Sequence, residues 1–422
     1  MKKQIYNIKL LGVFLLGSTF GFAQTTNTGV LHVNPGTIFS SVTEFDNQAA
    51  ASFTNNGESY FYSHFNNDGT VGFDAAGERL TRFEAPYGNN PDEVQELTGA
   101  NLSHLFDIQF NNDTALMPTY KLHSQISVAN EADFNLGIVQ DDVHGGLLIF
   151  EDDATAISVS DDSHVDGKVQ KKGDDAFTYP IGDIKGGAGY YRYAAIDAPG
   201  NVDHDFTAKY FFETPIGKTA EGHTPTTNKE GNISLIDNAE FWTITKDKGS
   251  ADVMLTLSYD AATTPTAIHT PEANIRIVHW DDAQKLWVDL GGIVDANANH
   301  VTTPATLDEY GIFTLARVED TSELIVYNGI SNNGDGDNDY FFIKGIKNLA
   351  NNNVKIFNRW GVKVYETDDY DSNGNVFKGF SNGRATIKKS EKLPTGTYFY
   401  VVSYDYGGKR INKSGYLYLT TE

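Results

Sequence analysis

The sequence predicts an all-β protein with an N-terminal β-solenoid-like or meandering β region, a central β-sandwich and a small C-terminal antiparallel β-sandwich. Three observations carry this prediction. The chain has 40 glycines and only 3 methionines, short runs of alternating apolar and polar residues recur along it, and Asn-Gly or Asp-Gly pairs separate many of these runs. Such pairs favour the tight turns that join neighbouring strands.

Residues 1–23 have the features of a secretory signal peptide. Three lysines accompany a short apolar run from Leu10 to Leu16, and small residues at Gly21 and Ala23 suit cleavage before Gln24. The run is shorter than the roughly 20 residues that cross a bilayer. We therefore expect a mature chain that begins at Gln24, leaves the cytoplasm and has no transmembrane segment.

Charge divides the mature chain into regions. Residues 24–325 carry a net charge of −30, whereas residues 326–422 carry +3. This change predicts a domain boundary near residue 326. A second boundary is expected near residue 165, where an Asp- and Ser-rich stretch interrupts the strand patterns. The predicted regions are a signal peptide at 1–23, a repeat-like region at 24–165, a β-sandwich at 166–325 and a C-terminal domain at 326–422.

The region 24–165 contains an imperfect repeat. Phe53-Thr-Asn-Asn-Gly57 recurs twelve residues later as Phe65-Asn-Asn-Asp-Gly69, and Phe110-Asn-Asn-Asp113 is a partial third copy. Each copy has the pattern of a strand that ends in a turn. Short strands at regular spacing suit a β-solenoid or a meandering sandwich, and the repeat leaves both architectures open.

The region 166–325 reads as a β-sandwich. Four runs with strand character are separated by turn-forming residues: Phe206–Phe212, Val253–Tyr259, Ile275–Trp280 and Ile312–Val318. Asp281-Asp282 predicts a hairpin turn after the third run. The stretch from Gly167 to Asp183 resembles segments of large surface proteins from Bacteroidetes.

Four motifs occur in order in the C-terminal region. They are the acidic loop Asn332–Asp339 before the apolar Tyr340–Ile343, the run Val354–Glu366 with Asn358-Arg359-Trp360-Gly361 inside it, Leu393–Tyr400, and Lys413–Tyr418. Together they resemble the gliding-motility-associated C-terminal domain, the type B sorting domain of the type IX secretion system. The stretch from Ser381 to Lys392 is longer than the corresponding part of that family.

The resemblance implies export. Its expected partners are the type IX translocon and a PorP/SprF-type outer-membrane protein, and its expected location is the cell surface or the medium, in association with the outer membrane. The residues themselves predict a compact sandwich in which Tyr398–Tyr406 and Lys409–Leu419 form a hairpin around Gly407-Gly408. For Arg359-Trp360 we expect a core aromatic ring with a stacked guanidinium, in preference to a contact for the secretion machinery.

The composition excludes several function classes. The chain has no cysteine, which excludes disulfide scaffolds, thiolate metal sites and cysteine catalysis, and its net charge of −24 opposes binding of nucleic acid. The eleven histidines are scattered, and no hydrolase, phosphate-binding or dinucleotide-binding motif occurs. Asp doublets, such as Asp152-Asp153 and Asp174-Asp175, point to opposite faces of a strand and do not form one site.

These observations favour a non-enzymatic adhesin or structural subunit of a surface appendage that recognises a glycan or another surface ligand. The alternative is a secreted polysaccharide-acting enzyme or carbohydrate-binding protein that uses the N-terminal region. A cluster of acids and aromatic rings that lines one concave groove would favour that alternative, whereas a turn-rich acidic surface without a groove favours the adhesin.

The acidic loop of the C-terminal region contains one candidate metal site. Asn333, Asp335, Asp337 and Asp339 recur at every second position and could direct several oxygens toward calcium. The loop departs from an EF-hand because Asn338 and Lys344 stand where Gly and Glu are required. A cluster of Asx turns before the next strand explains the same residues, and the sequence leaves both interpretations open.

Overall fold

The computed structural model describes residues 24–74, 77–87, 93–318, 324–335, 338–371, 374–383, 392–406 and 409–421. The predicted signal peptide, Asp337, Gly407-Gly408 and most of the long stretch after Ser381 lie outside the described residues. Strands make up 51% of the described residues and helices 4%, which confirms the all-β class. No helix of the described residues is long and apolar enough to cross a membrane.

The N-terminal region is a β-solenoid of about six turns. Its elements are β1 Gln24–Asn27, β2 Val30–Val33, β3 Ile38–Ser41, β4 Glu44–Asn47, β5 Ser52–Asn55, β6 Glu58–Phe61, β7 Phe65–Asn67, β8 Thr70–Gly72, β9 Leu80–Glu84, β10 Gln95–Thr98, β11 Ser103–Asn111, β12 Tyr120–Leu122, β13 Gln125–Leu136, β14 Val139–Gln140, the short 3₁₀ helix Asp142–His144, β15 Leu147–Phe150, β16 Thr155–Ile157, β17 Val165–Asp166 and β18 Lys168–Lys172.

Each turn of the solenoid has three sides, and strands of successive turns pair in parallel. The first side contains β1, β4, β7, β10, β12, β14 and β17. The second side contains β2, β5, β8, the first halves of β11 and β13, and then β15 and β18. The third side contains β3, β6, β9, the second halves of β11 and β13, and β16.

The period of the solenoid differs from the repeat seen in the sequence. In the first coils the residues that pair lie 20 positions apart, as in Thr25 with Phe45 and Phe45 with Phe65. Phe53 and Phe65, which start two copies of the sequence repeat, lie on different sides of the solenoid, in β5 and β7. The repeat therefore marks strands and corners within a coil, not whole coils.

A ladder of asparagines, of which Asn47 and Asn67 are fully buried, holds one corner of the first coils. The Asn27 amide donates to Oδ1 of Asn47 over 2.9 Å, and the Asn47 amide donates to Oδ1 of Asn67 over 2.9 Å. Asn67 then donates to the Ser103 hydroxyl over 3.0 Å. Since these side chains point into the solenoid, each coil is hydrogen-bonded to the next by side chains as well as by the backbone.

Aromatic rings fill the interior of the solenoid. On the third side Phe61, Phe83, Phe110 and Phe134 follow one another through successive coils, with centroids 5.8, 6.0 and 5.3 Å apart. All four are buried. Burial of such rings contributes the main stabilisation of the coils, about 1.5–3 kcal/mol for each ring.

The central region continues directly from the last coil. Its elements are β19 Phe177–Thr178, β20 Ile181–Lys185, β21 Ala188–Tyr191, β22 Ala194–Ile196, β23 Asp205–Phe211, β24 Ile233–Ile236, β25 Phe241–Lys248, β26 Leu255–Ser258, α1 Thr266–His269, a 3₁₀ turn Glu272–Asn274, β27 Ile275–Asp281, β28 Leu286–Asp289, β29 Ile293–Asp295, β30 His300–Thr302 and β31 Gly311–Val318.

Strands β20 and β21 extend the first side of the solenoid, and the other central strands form two antiparallel sheets. One has the order β23-β25-β31-β27-β28 with β24 also paired to β31, and the other has the order β19-β22-β26-β30-β29. The four strand runs predicted from the sequence coincide with β23, β26, β27 and β31, and Asp281-Asp282 lies at the predicted turn between β27 and β28.

Hydrogen bonds and core contacts join the solenoid to the central region, across the predicted boundary near residue 165. Strand β18 of the solenoid pairs antiparallel with β23 of the central region, and β17 pairs in parallel with β20. One continuous cluster of buried side chains extends from Val33 to Leu315.

The C-terminal region has a separate core, which extends from Leu324 to Leu419. Its elements are β32 Ile325–Val326, β33 Gly329–Ser331, β34 Ile343–Lys344, a 3₁₀ turn Ile346–Asn348, β35 Ala350–Phe357, β36 Lys363–Asp368, β37 Gly396–Tyr406 and β38 Lys409–Thr420. Five of these strands form one sheet in the order β33-β38-β37-β35-β36. The predicted terminal hairpin is present as β37 and β38, and Tyr406 pairs with Lys409 across its end.

Candidate recognition groove and other candidate sites

The sequence Asn358-Arg359-Trp360-Gly361 forms the turn between β35 and β36. Oδ1 of Asn358 accepts hydrogen bonds from the backbone N–H groups of Trp360 and Val362, each over 3.0 Å. Gly361 has a φ of 69°, a left-handed conformation that favours glycine, and a Cβ there would lie 2.9 Å from Met254 and Thr306 of the central region. The turn is therefore fixed by its own sequence and packs against the central sandwich.

The turn and the Leu393–Tyr398 segment line a groove of about 540 Å³. The indole of Trp360 is 54% exposed at this groove, and the guanidinium carbon of Arg359 lies 4.1 Å from its ring centroid. The predicted stacking is confirmed, but the prediction of a core aromatic ring is wrong. The asparagine-capped turn extends beyond the sheet, so the core is filled by the inward residues of β37, such as Tyr400 and Tyr404.

The end of the chain supports the other wall of the groove. The Tyr398 hydroxyl donates to the Pro394 carbonyl over 2.8 Å, and the Thr421 N–H donates to the Thr395 hydroxyl over 2.9 Å. Burial raises the pKa of the Tyr398 phenol above its ordinary value. Two sequence motifs that lie more than thirty positions apart are thus held on opposite sides of one groove.

Comparison with known families identifies this region. Residues 324–419 match the family model described as the CHU_C type IX secretion signal domain. The chain carries a type IX secretion signal domain. The match covers the C-terminal end of the 422-residue chain, and this signal domain contains both walls of the groove. Neither a curated protein nor a solved structure matches the chain.

Three of the four predicted calcium ligands are described, and they form a local turn. The Asn333 amide donates to Oδ2 of Asp335 over 2.8 Å, and Oδ1 of Asp339 accepts from the Gly334 N–H over 2.8 Å. Asp337 lies outside the described residues. The Asp335 N–H donates to Oδ1 of Asn333 over 3.3 Å, which is the contact of an Asx turn. Calcium binding at this loop stays a prediction.

Acidic residues from two neighbouring corners of the solenoid lie close together, although the sequence predicts that the Asp doublets do not form one site. Among the described residues, carboxylate oxygens of Asp152, Asp174 and Asp175 lie within 4.8 Å of one another. The buried ammonium of Lys171 lies 3.4 Å from Asp175 and donates to the Glu151 carbonyl over 2.7 Å. The lysine therefore supplies a positive charge beside Asp175 at this corner.

A second surface pocket, of about 360 Å³, lies in the central sandwich. Two imidazoles face Gly311 there, and each has an acid within ion-pair distance: His223 Nδ1 lies 3.5 Å from Asp282, and His279 Nδ1 lies 3.7 Å from Glu309. Burial lowers the pKa of His279. Of the described residues, no three histidine or carboxylate ligands of this pocket converge within 4.8 Å.

Two carboxyl groups are fully buried beside each other in the central sandwich. Glu240 accepts hydrogen bonds from the Tyr210 and Thr264 hydroxyls, and Asp237 accepts one from the Ala239 N–H over 2.8 Å. Burial raises the pKa of both carboxyl groups, and their proximity raises that of Asp237 further. The pair lies at the turn between β24 and β25.

Proposed function

We propose that this chain is a non-enzymatic adhesin or surface-appendage protein. One observation carries the proposal: the signal domain at residues 324–419, which implies a substrate of type IX secretion and export to the cell surface or the medium. The remaining residues form a solenoid and a sandwich with a large acidic excess. Solenoids present long regular surfaces that suit binding, which supports an adhesive role.

The groove beside Trp360 is the proposed contact for the secretion machinery. Exposed aromatic rings with a stacked arginine are frequent anchors of protein interfaces, and Trp360 and Arg359 have this arrangement. We propose that the type IX translocon, or a PorP/SprF-type outer-membrane protein, binds this groove in a member of the Bacteroidetes. An N-terminal signal peptide cleaved before Gln24 would bring the chain to the periplasm first.

Two variants in the native host test this proposal. Deletion of Lys409–Glu422 removes β38 and the Thr421 contact to the groove wall, and it leaves β37 paired only with β35 and open along its other edge. We expect the truncated chain to remain in the periplasm. Trp360→Ala changes an exposed side chain, so we expect a folded protein with export reduced about tenfold or more, as for loss of an interface anchor. Tyr416→Ala, at an equally exposed ring of the same domain, is the control.

Cell fractionation with surface proteolysis measures the outcome. Surface display of the truncated chain at the normal level would contradict both the sorting role of the domain and the adhesin proposal that depends on it. Normal display of Trp360→Ala with retention of the truncated chain would place the contact elsewhere on the domain.

A further inference from the structure

The outward residues of the third side of the solenoid form continuous rows across successive coils. Because the strands are in register, Tyr60 of β6, Arg82 of β9, Gln109 of β11 and Asp133 of β13 occupy neighbouring positions of one row. Neighbouring strands lie about 4.8 Å apart, so this row is about 15 Å long. It presents an aromatic ring, a guanidinium, an amide and a carboxylate on one flat surface.

Hydrogen bonds fix the polar groups of this row. Arg82 donates to the Gln109 carbonyl oxygen over 2.6 Å, and the Gln109 amide donates to Asp133 over 2.6 Å. The Arg82 guanidinium also lies 5.3 Å from the ring centroid of Tyr60. Side chains that are already ordered lose little entropy when a ligand binds, so the row is preorganised for hydrogen bonding.

Three tyrosines lie together at one end of the row. The rings of Tyr60 and Tyr62 are nearly parallel, at 12° and 6.4 Å, and Tyr87 lies 6.2 Å from Tyr62. Tyr87 is 77% exposed, the largest exposure of an aromatic side chain among the described residues. Aromatic faces next to fixed hydrogen-bonding groups bind ligands that are apolar on one face and rich in hydroxyls at the edge.

We propose that this face binds an extended neutral polysaccharide, with sugar rings against the tyrosines and hydroxyl groups bonded to the Arg82–Gln109–Asp133 row. Charge selects this occupant. Residues 24–325 carry a net charge of −30, which repels acidic polysaccharides and nucleic acids, whereas a neutral glycan meets no such repulsion. The inference rests on the proposed adhesive function and names the ligand class and the surface that serve it.

Affinity electrophoresis of the full chain tests the inference. The probes are native gels that contain a mixed-linkage β-glucan, a xylan or a galactomannan, and a gel with the acidic polysaccharide alginate is the counter-probe. We expect at least one neutral polysaccharide to retard the chain and alginate to have no effect. The combined variant Tyr62→Ala and Tyr87→Ala should weaken the retardation about tenfold or more, whereas Tyr416→Ala on the signal domain should not.

Three results would contradict the proposed glycan face. If none of the neutral polysaccharides retards the chain, if the tyrosine variant is retarded like the unchanged protein, or if alginate binds equally well, the proposed glycan face is wrong. Surface display of the tyrosine variant in the host separates this result from export. A displayed variant that no longer binds supports the inference, whereas failure of the unchanged chain to reach the surface contradicts only the proposed function.

Discussion

Replacement of Asn47 by alanine should loosen the first coils of the solenoid. Asn47 is fully buried, and its amide donates to Oδ1 of Asn67 over 2.9 Å and to the Thr70 carbonyl over 3.2 Å. Its own Oδ1 accepts from Asn27 over 2.9 Å. The change removes three hydrogen bonds, each worth about 1 kcal/mol net, so we expect local stability to fall by about 3 kcal/mol.

A matched control distinguishes the effect of burial from the effect of the number of hydrogen bonds lost. Asn66 also makes three side-chain hydrogen bonds, with Asp46, Asp68 and Thr98, but it lies on the outer surface of β7. Water can replace those bonds, so Asn66→Ala should lower the stability by less than about 1 kcal/mol.

Hydrogen exchange followed by mass spectrometry is the suitable assay. All four tryptophans of the chain follow residue 240, so tryptophan fluorescence does not report on the solenoid. A loss of about 3 kcal/mol corresponds to exchange roughly 100-fold faster in peptides that cover residues 44–72. Equal exchange rates in the Asn47 and Asn66 variants would refute the argument that the buried ladder stabilises the corner.

Three further predictions follow from the described residues. Gly69→Ala should destabilise the same corner by about 1–3 kcal/mol, because its Cβ would lie 2.3 Å from the Ala51 carbonyl, whereas Gly29→Ala, with no atom within 4 Å, should have little effect in the same exchange assay. The raised pKa of Asp237 means that the folded chain binds more protons than the unfolded chain, so stability of the central sandwich should fall as pH rises above about 4. Asp237→Asn should flatten this dependence in urea unfolding followed by tryptophan fluorescence, and an unchanged slope would contradict the assignment. Calcium binding at the acidic loop predicts that millimolar calcium raises the melting temperature of the full chain relative to chelator and that Asp339→Asn abolishes the rise; identical melting curves would leave the loop as a set of Asx turns.

Local patterns in the sequence predicted several strands of the central and C-terminal regions correctly. The strand-forming residues of Ile275–Trp280 and Ile312–Val318, bounded by turn-formers, identified β27 and β31, and Asp281-Asp282 identified the turn after β27. The motifs of the signal domain were also visible, since each occupies a continuous stretch of chain. These features depend on residues within a few positions of one another, which a single sequence contains.

The arrangement of the solenoid was only partly visible. The repeat of Phe53 and Phe65 indicated strands and corners, but it left the solenoid and the sandwich as alternatives and gave a period of twelve. The actual pairing joins residues 20 positions apart in the first coils, and longer connections separate later coils. Unequal connections hide the period because only the strands, and not the loops, must match in length.

The sequence by itself determined the all-β class, the acidic character of residues 24–325, the separate C-terminal domain and its family. Only the tertiary structure decided that Trp360 is exposed in a groove, that Asp152 meets Asp174 and Asp175, and that Tyr60, Arg82 and Gln109 form one row. The physical reason is that burial and side-chain neighbours in a solenoid are set by pairing between coils. That pairing is a long-range property, because it depends on how the loops bring strands into register and not on the residues beside each side chain.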